Sequence, residues 1–236
     1  MSDSLVIIPT YNERENVERM VHCVMGLPVT FDLLIVDDGS PDGTSAIVES
    51  LMGQYPGRLF LEKREGKLGL GTAYIHGFKW GLKRHYEYFF EMDCDFSHNP
   101  EDLVKLYIAV KDGDADVAIG SRYVKGGKVV NWPVGRILMS YFASVYVRMI
   151  LWMNIKDTTA GFKCYKRKVL ENIELDEIKF IGYAFQIEMK YRAWKKGFKL
   201  VEAPITFVDR ALGSSKMSRG IFKEALFGVL KMRFSI

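Results

Sequence analysis

Short apolar runs of strand length recur along the first half of the chain, and segments of helical spacing lie between them. This alternation restricts the fold more than any other feature. Leu5 to Pro9 is followed by Glu13 to Met25, Phe31 to Val36 by Ser45 to Gln54, and Leu59 to Lys63 by a helix over about Gly71 to Lys83. Tyr86 to Met92 and Val117 to Gly120 read as a fourth and a fifth strand. Strands alternating with helices predict a mostly parallel sheet flanked by helices, with ligands gathering where the loops leave the strands' carboxyl ends.

Three of those loops carry acid: Glu13, then Asp37 and Asp38, then Asp93 and Asp95. Asp93 and Asp95 are separated by one residue, so in an extended chain they fall on one face. Such a pair suits a hard divalent cation, because Mg²⁺ is usually held by one or two carboxylates while substrate phosphates complete its octahedron. An Asp-x-Asp taken alone reads first as a turn rich in Asp, Ser and Asn before a helix. Acid recurring on one rim favours a site, since a nucleotide diphosphate needs acceptors for base and ribose plus a metal for its phosphates.

At 236 residues and 48% apolar content the chain can fill one large α/β domain or two small ones. A net charge of +4, from 33 basic and 29 acidic residues, is too mild to argue for nucleic acid. Cys23, Cys94 and Cys164 are odd in number and widely spaced, which argues against a disulfide framework or a zinc site and fits a reducing cytoplasm. Leu5 to Ile8 is too short for a secretory h-region. No segment offers about 20 uninterrupted apolar residues, so no membrane span is expected.

Lys67-Leu-Gly-Leu-Gly-Thr-Ala73 contains Gly-x-Gly before a helix, yet it follows the third strand rather than the first and lacks the last glycine of a dinucleotide fingerprint. Close helix packing explains it better, with Lys67 near phosphate or in solvent. Arg122, beside the glycine-rich Gly126-Gly127, can hold phosphate in a bidentate fork or be a surface arginine in a salt bridge. Pro133 to Asn154 reads as a long helix on which Arg136, Ser140, Ser144 and Arg148 make one narrow polar stripe. The rest is apolar or aromatic, which suits either the lipid interface, with Tyr141, Tyr146 and Trp152 as anchors, or an ordinary core helix. After a loop at Asp157 to Lys163 come a short segment at Cys164 to Leu170, a helix at Tyr183 to Lys196 and a strand at Leu200 to Val208. The loop from Asp209 to Lys216 makes Arg210 and Lys216 available to a diphosphate. A last helix, Ile221 to Phe234, places Ile221, Phe222, Ala225, Leu226, Val229 and Leu230 on one face and is either a core helix or a basic interfacial one.

Assembled, these segments resemble the dolichol-phosphate mannose synthases and, more broadly, the polyprenyl-phosphate glycosyltransferases of family 2 and GT-A type. The resemblance runs through Pro9-Thr-Tyr-Asn-Glu-Arg-Glu-Asn16, Val36-Asp-Asp-Gly-Ser-Pro-Asp-Gly-Thr44, Leu68-Gly-Leu-Gly-Thr-Ala-Tyr74, Met92-Asp-Cys-Asp-Phe-Ser-His98, Gly120-Ser-Arg-Tyr123 and Asp209-Arg-x-x-Gly-x-Ser-Lys216. It implies a single GT-A (Rossmann-like) domain over 1–236, with 1–125 binding the nucleotide sugar and 126–236 the acceptor and the membrane. A nucleotide-sugar pocket would be formed by Pro9, Tyr11, Glu13, Val36, Asp38, Asp93, Cys94, Asp95, Ser97, Arg122, Arg210 and Lys216. Asp93, Asp95 and Ser97 would surround Mg²⁺ or Mn²⁺, and Arg210 and Lys216 would meet the donor diphosphate. Arg122, Arg136 and Ser140 would hold the acceptor phosphate. Cys94 departs from the alanine usual between the aspartates, and its side chain is expected to point away from the metal. Many relatives carry C-terminal transmembrane helices and this sequence, ending at Ile236, shows none. A peripheral protein on the cytoplasmic face, reaching the membrane by amphipathic helices or a small anchoring partner, is therefore expected, or else a truncated form.

The implied reaction is transfer of mannose from GDP-mannose to a polyprenyl phosphate, by in-line displacement with inversion and Asp93, Asp95, Arg122 and Arg210 as its catalytic residues. A phosphate monoester is already anionic near neutral pH, so no strong general base is required. The alternatives are a glucosyltransferase using UDP-glucose and a non-catalytic nucleotide-sugar-binding subunit. A Rossmann oxidoreductase fits less well, its glycine motif being in the wrong loop.

Overall fold

The structure, a computed structural model, describes residues 2–209 and 220–235, with the side chains of 183, 220–226 and 235 left aside. Its strands are β1 (Ser4–Thr10), β2 (Asp32–Asp37), β3 (Leu59–Lys63), β4 (Tyr88–Glu91), β5 (Val117–Ser121), β6 (Lys128–Val130), β7 (Lys163–Lys166), β8 (Leu200–Pro204) and β9 (Thr206–Val208). Its helices are α1 (Val17–Met25), α2 (Thr44–Met52), α3 (Leu70–Leu82), α4 (Asp102–Lys111), α5 (Val134–Leu151), α6 (Arg167–Asn172), α7 (Tyr183–Lys195) and α8 (Gly220–Ser235).

A seven-stranded sheet runs in the order β3-β2-β1-β4-β7-β5-β8, and β6 pairs with β9 apart from it. Along β1, Leu5 and Ile7 belong to one apolar core while Val6 and Ile8 belong to another, as the two-residue period of a strand requires. The first core holds Tyr74 and Phe78 of α3 and Phe185 of α7; the second holds Val17, Met20 and Val21 of α1 and Leu103 of α4. Both faces of the sheet are thus covered, which is why β1 and β2 read as unbroken apolar runs. The expected α/β class, a mostly parallel sheet flanked by helices, is borne out.

Three details depart from the sequence reading. The segment after Asp157 supplies β7, which lies antiparallel between β4 and β5, so the two expected halves share one sheet. The strand expected over Leu200 to Val208 breaks at Ile205: β8 extends the large sheet beside β5, whereas β9 pairs with β6. On α8, among the side chains described, Val229 and Met232 are the buried ones and Leu230 is exposed, so the expected apolar face is turned.

The expected close approach to the sheet falls to Gly77, outside the Lys67 to Ala73 motif, whereas Gly71 of the motif packs against α7. A Cβ at Gly71 would stand 2.8 Å from the Phe185 ring of α7, and one at Gly77 would stand 2.6 Å from Cγ2 of Ile7 in the sheet. Lys67, just before this helix, places Nζ 5.2 Å from the centre of the Tyr11 ring.

Candidate functional site

The loop after β1 and the loop after β2 are stitched together by short polar side chains. Asp37 is wholly buried and accepts from Thr10 Oγ1 at 2.8 Å, Ser40 Oγ at 2.6 Å and Ser45 Oγ at 2.7 Å. Burial pushes its carboxyl up, but the donors from Ser40, Ser45 and Thr10 outweigh that and hold it below the usual carboxylate value. Ser40 Oγ then accepts from the backbone of Asn12, at 2.9 Å, and Thr44 Oγ1 from that of Glu13, at 3.0 Å. Asn12 is left-handed, with φ of 55°, and this pair of bonds fixes the rim on which Pro9, Tyr11 and Glu13 sit. Asp37 is therefore the organiser of this rim. Asp38, buried next to it, accepts from Arg64 Nε at 2.7 Å, and Arg64 also donates to Thr72 Oγ1 at 2.9 Å. Val36 is fully buried in the core, so its side chain presents nothing to a ligand.

The loop after β4 brings Asp93, Asp95 and Ser97 to the wall of one cavity of about 200 Å³. Cys94 packs into the apolar core between them. Phe96 takes a left-handed φ of 58°, which turns the chain so that Ser97 N donates to Asp95 Oδ1 at 3.1 Å. Val208 N of β9 donates to Ser97 O at 3.1 Å and pins the loop from outside. Tyr74 OH reaches Asp93 Oδ1 at 3.4 Å. Ser97 Oγ is buried and finds no hydrogen-bond partner among the described residues. Two carboxylates and an orphaned hydroxyl fit a hard cation completed by substrate oxygens. Among the described residues no group of three or more His, Cys, Asp or Glu gathers as a self-sufficient metal cage.

The same cavity is lined by Arg122, Arg136 and Ser140. Arg136 Nη1 donates to Asp209 Oδ1 at 3.0 Å, and its guanidinium stands 3.9 Å from the Trp132 ring. Arg122 requires a correction. Its fork is closed on Asp157, Nε to Oδ2 and Nη2 to Oδ1 at 2.7 Å each, and Nη2 also meets Thr159 Oγ1 at 2.9 Å. A fork spent in this way does not offer a second bidentate grip to phosphate. Asp157 is held in turn by Glu202 of β8, whose Oε1 accepts from Asp157 N at 2.9 Å. Arg210 and Lys216 lie outside the described residues.

Sequence reasoning missed Asp157, Glu202, Arg64, His98 and Gln186. His98 lines the cavity, stacks on Phe162 with ring centres 4.9 Å apart and is neutral at pH 7. Burial drives its imidazole from 6.5 down to about 4, with Asp95 and Asp157 opposing the fall and Arg122 adding to it. A shared place in the Met92 to His98 motif is the one signal that could have marked it.

Ser144, Val147 and Leu151 of α5 face inward, the last two within the first apolar core, while much of its remaining apolar surface faces outward. Ser144 is buried, while Leu138, Phe142 and Met149 are each at least half exposed. The helix spans 18 residues with 17% of them buried, its C-terminal half reaching the core through Val147 and Leu151, and by length and composition alone it could cross a membrane. Just beyond it, left-handed Trp152 is 71% exposed, and Arg233 of α8 lies 4.3 Å from its ring.

The model of the family described as glycosyl transferase family 2 matches residues 5–174. The chain is 50% identical to the polyprenol monophosphomannose synthase of Mycolicibacterium smegmatis over 96% of its own length and 85% of the relative's. It is 46% identical to the undecaprenyl-phosphate mannosyltransferase of Micrococcus luteus over 96% of this chain and 92% of that one. Its fold is shared by a mannosyltransferase from Pyrobaculum calidifontis solved with GDP-Man and Mn²⁺, with a TM-score of 0.63, 16% identity, and coverage of 99% of this chain and 63% of that one.

Proposed function

The chain belongs to glycosyl transferase family 2, and on that premise we propose that it transfers mannose from GDP-mannose to a polyprenyl phosphate, giving polyprenyl phosphate β-mannose. One observation carries this reading: the carboxylates Asp93 and Asp95 share a cavity with Arg136 and Ser140 of a helix whose outer face is exposed and apolar. The carboxylates suit a metal and a diphosphate, and Arg136 with Ser140 suits a lipid phosphate delivered along the apolar face. At about 200 Å³ the cavity is smaller than the ~300–1,000 Å³ of a whole-ligand pocket, so it takes the reacting end while the nucleoside lies over the rim of Tyr11 and Glu13.

Asp93, Asp95 and Ser97 hold a divalent cation, Mg²⁺ or Mn²⁺, which when bound neutralises charge on the departing nucleoside diphosphate. Arg136 and Ser140 hold the acceptor phosphate, already an anion near pH 7, so that one of its oxygens faces the anomeric carbon. The phosphate oxygen forms the new bond as the bond to the diphosphate breaks, with inversion. No proton has to be removed from the nucleophile, and neutral, buried His98 adds no positive charge to the wall. Arg122 acts through Asp157 to fix the loop that carries Thr159, Ala160 and Gly161, three further residues of the wall. The protein works at the cytoplasmic face of a membrane, with α5 and the exposed Phe227 and Phe234 of α8 against lipid.

The test is transfer of label from GDP-mannose to a polyprenyl phosphate in detergent, with UDP-glucose in parallel, each with Mg²⁺, Mn²⁺ or EDTA. Organic-phase label from GDP-mannose that disappears in EDTA is expected. Label from UDP-glucose alone would replace the donor, and label from neither would point to a binding subunit.

A further inference from the structure

Gln186 of α7 is 2% exposed, yet it lines the cavity beside Gly161. Its carbonyl oxygen, Oε1, is taken by Lys163 Nζ of β7. That ammonium also meets Glu91 Oε1 of β4 at 3.1 Å, and both side chains of the pair are wholly buried. Tyr165 OH completes the cluster, donating to the same Glu91 oxygen at 3.0 Å.

This network decides which end of the amide faces the cavity. A lysine ammonium only donates, so turning the amide over would set NH₂ against NH₃⁺. Moving the proton from Lys163 to Glu91 changes nothing, because the amine's lone pair then accepts from the carboxylic acid and N–H again remains for Gln186. Nε2, with two donors, is the end left for a ligand. It lies against Gly161, where even a methyl group would stand 3.5 Å from it, so no side chain covers it from that loop. With Oε1 committed to Lys163, a ligand oxygen in the cavity is the partner that Nε2 is placed to meet.

We propose that Gln186 is a substrate-contacting donor of this cavity, its Nε2 binding an oxygen of the reacting end, either a hydroxyl of the transferred sugar or an oxygen of the acceptor phosphate. The proposal rests on the transfer reaction described above. Gln186→Glu keeps the shape and the bond from Lys163 but removes both donors, and Gln186→Met removes the polar end at similar volume.

Each variant is compared with the unaltered chain for kcat and both KM values in the labelled-transfer assay, for GDP affinity in Mn²⁺ by calorimetry, and for melting temperature. The expected result is a fall of about 10- to 100-fold in kcat/KM for both variants, with GDP affinity retained in both and melting temperature retained in Gln186→Glu, which still accepts from Lys163. A rise confined to the donor KM assigns a sugar hydroxyl, and one confined to the acceptor KM assigns a phosphate oxygen. Turnover within about twofold of the unaltered chain overturns the proposal, as does a loss of turnover matched by an equal loss of GDP affinity or by unfolding of both variants. Absence of transfer by the unaltered chain, from GDP-mannose and UDP-glucose alike, overturns the reaction and the proposal together.

Discussion

Arg122 grips Asp157 through two parallel charge-assisted bonds of 2.7 Å, and the Asp157 side chain has no contact with water. Removing one partner of such a pair leaves the other charge buried and unpaired, at a cost of about 3–5 kcal/mol. Asp157→Ala should lower unfolding free energy by that order in a urea titration, and a loss below about 1 kcal/mol would show the pair to be dispensable. Burial pushes the Asp157 carboxyl up, while the charge and hydrogen bonds of Arg122 overcome this and leave it below its usual 3.8. Its contribution is therefore whole above about pH 4 and lost as acid takes the pH through the lower, folded value.

His98 gives stability a dependence in a different window. The unfolded chain takes up the imidazole proton near 6.5 and the folded chain only near 4, so between these values the unfolded state binds the extra proton. Stability should be undiminished above about pH 6.5 and should fall by up to about 3 kcal/mol on the way down to 4, at ~1.4 kcal/mol per unit. Urea melts in EDTA across this range should show the slope in the native chain and a flatter one in His98→Phe.

Asp95→Asn keeps the shape of the loop and removes one of the two negative charges facing the cation. Transfer should fall by at least about a thousandfold, with fold retained by circular dichroism and Mn²⁺ affinity in the presence of GDP lost by calorimetry. Normal turnover in this variant would remove the metal assignment.

Arg136 is a third exposed and its partner Asp209 is similarly open, so this pair contributes little to stability. Arg136→Ala should raise the acceptor KM about tenfold or more, leave the donor KM within about twofold and barely move the melting temperature. A rise confined to the donor KM would transfer Arg136 to the nucleotide side.

Phe142 and Trp152, at 62% and 71% exposure, touch too little of the protein to hold it together. Phe142→Glu with Trp152→Glu should leave the melting temperature unchanged and lower co-sedimentation with anionic phospholipid vesicles about tenfold or more. Unchanged co-sedimentation would free α5 from the bilayer.

What the sequence disclosed follows physical range. Asp93 and Asp95 stand one residue apart, and Arg136 and Ser140 are neighbours on one helix, so local spacing marked the acid pair and the polar stripe, while the resemblance supplied Ser97 and the phosphate role of Arg136 and Ser140. Asp157 meets Arg122 from 35 residues away, across the whole of α5, and Gln186 meets Lys163, on the strand that runs antiparallel, from 23. A four-residue segment such as Lys163–Lys166 carries no periodicity by which to fix its direction or its neighbours. The ambiguity between phosphate fork and salt bridge at Arg122 was likewise decided by a carboxylate that no nearby residue announces. The break at Ile205 escaped notice because both pieces are apolar and extended; only their different partners separate them.

The placement of β7 between β4 and β5 also fixes when this protein can become itself during synthesis. β1, β2 and β3 can assemble with β4 as soon as they emerge, but the far edge of β4 has to wait for Lys163–Lys166 to be translated, on the order of ten seconds at ~5–20 residues per second. During that interval Tyr88-Phe-Phe-Glu91, mostly aromatic and lacking glycine or proline, stands as an open strand edge prone to pairing with other chains. The strand that leads to Asp93 and Asp95 is thus an open edge of the nascent chain, and the yield of native enzyme in a cell depends on how well that edge is shielded until its antiparallel partner arrives.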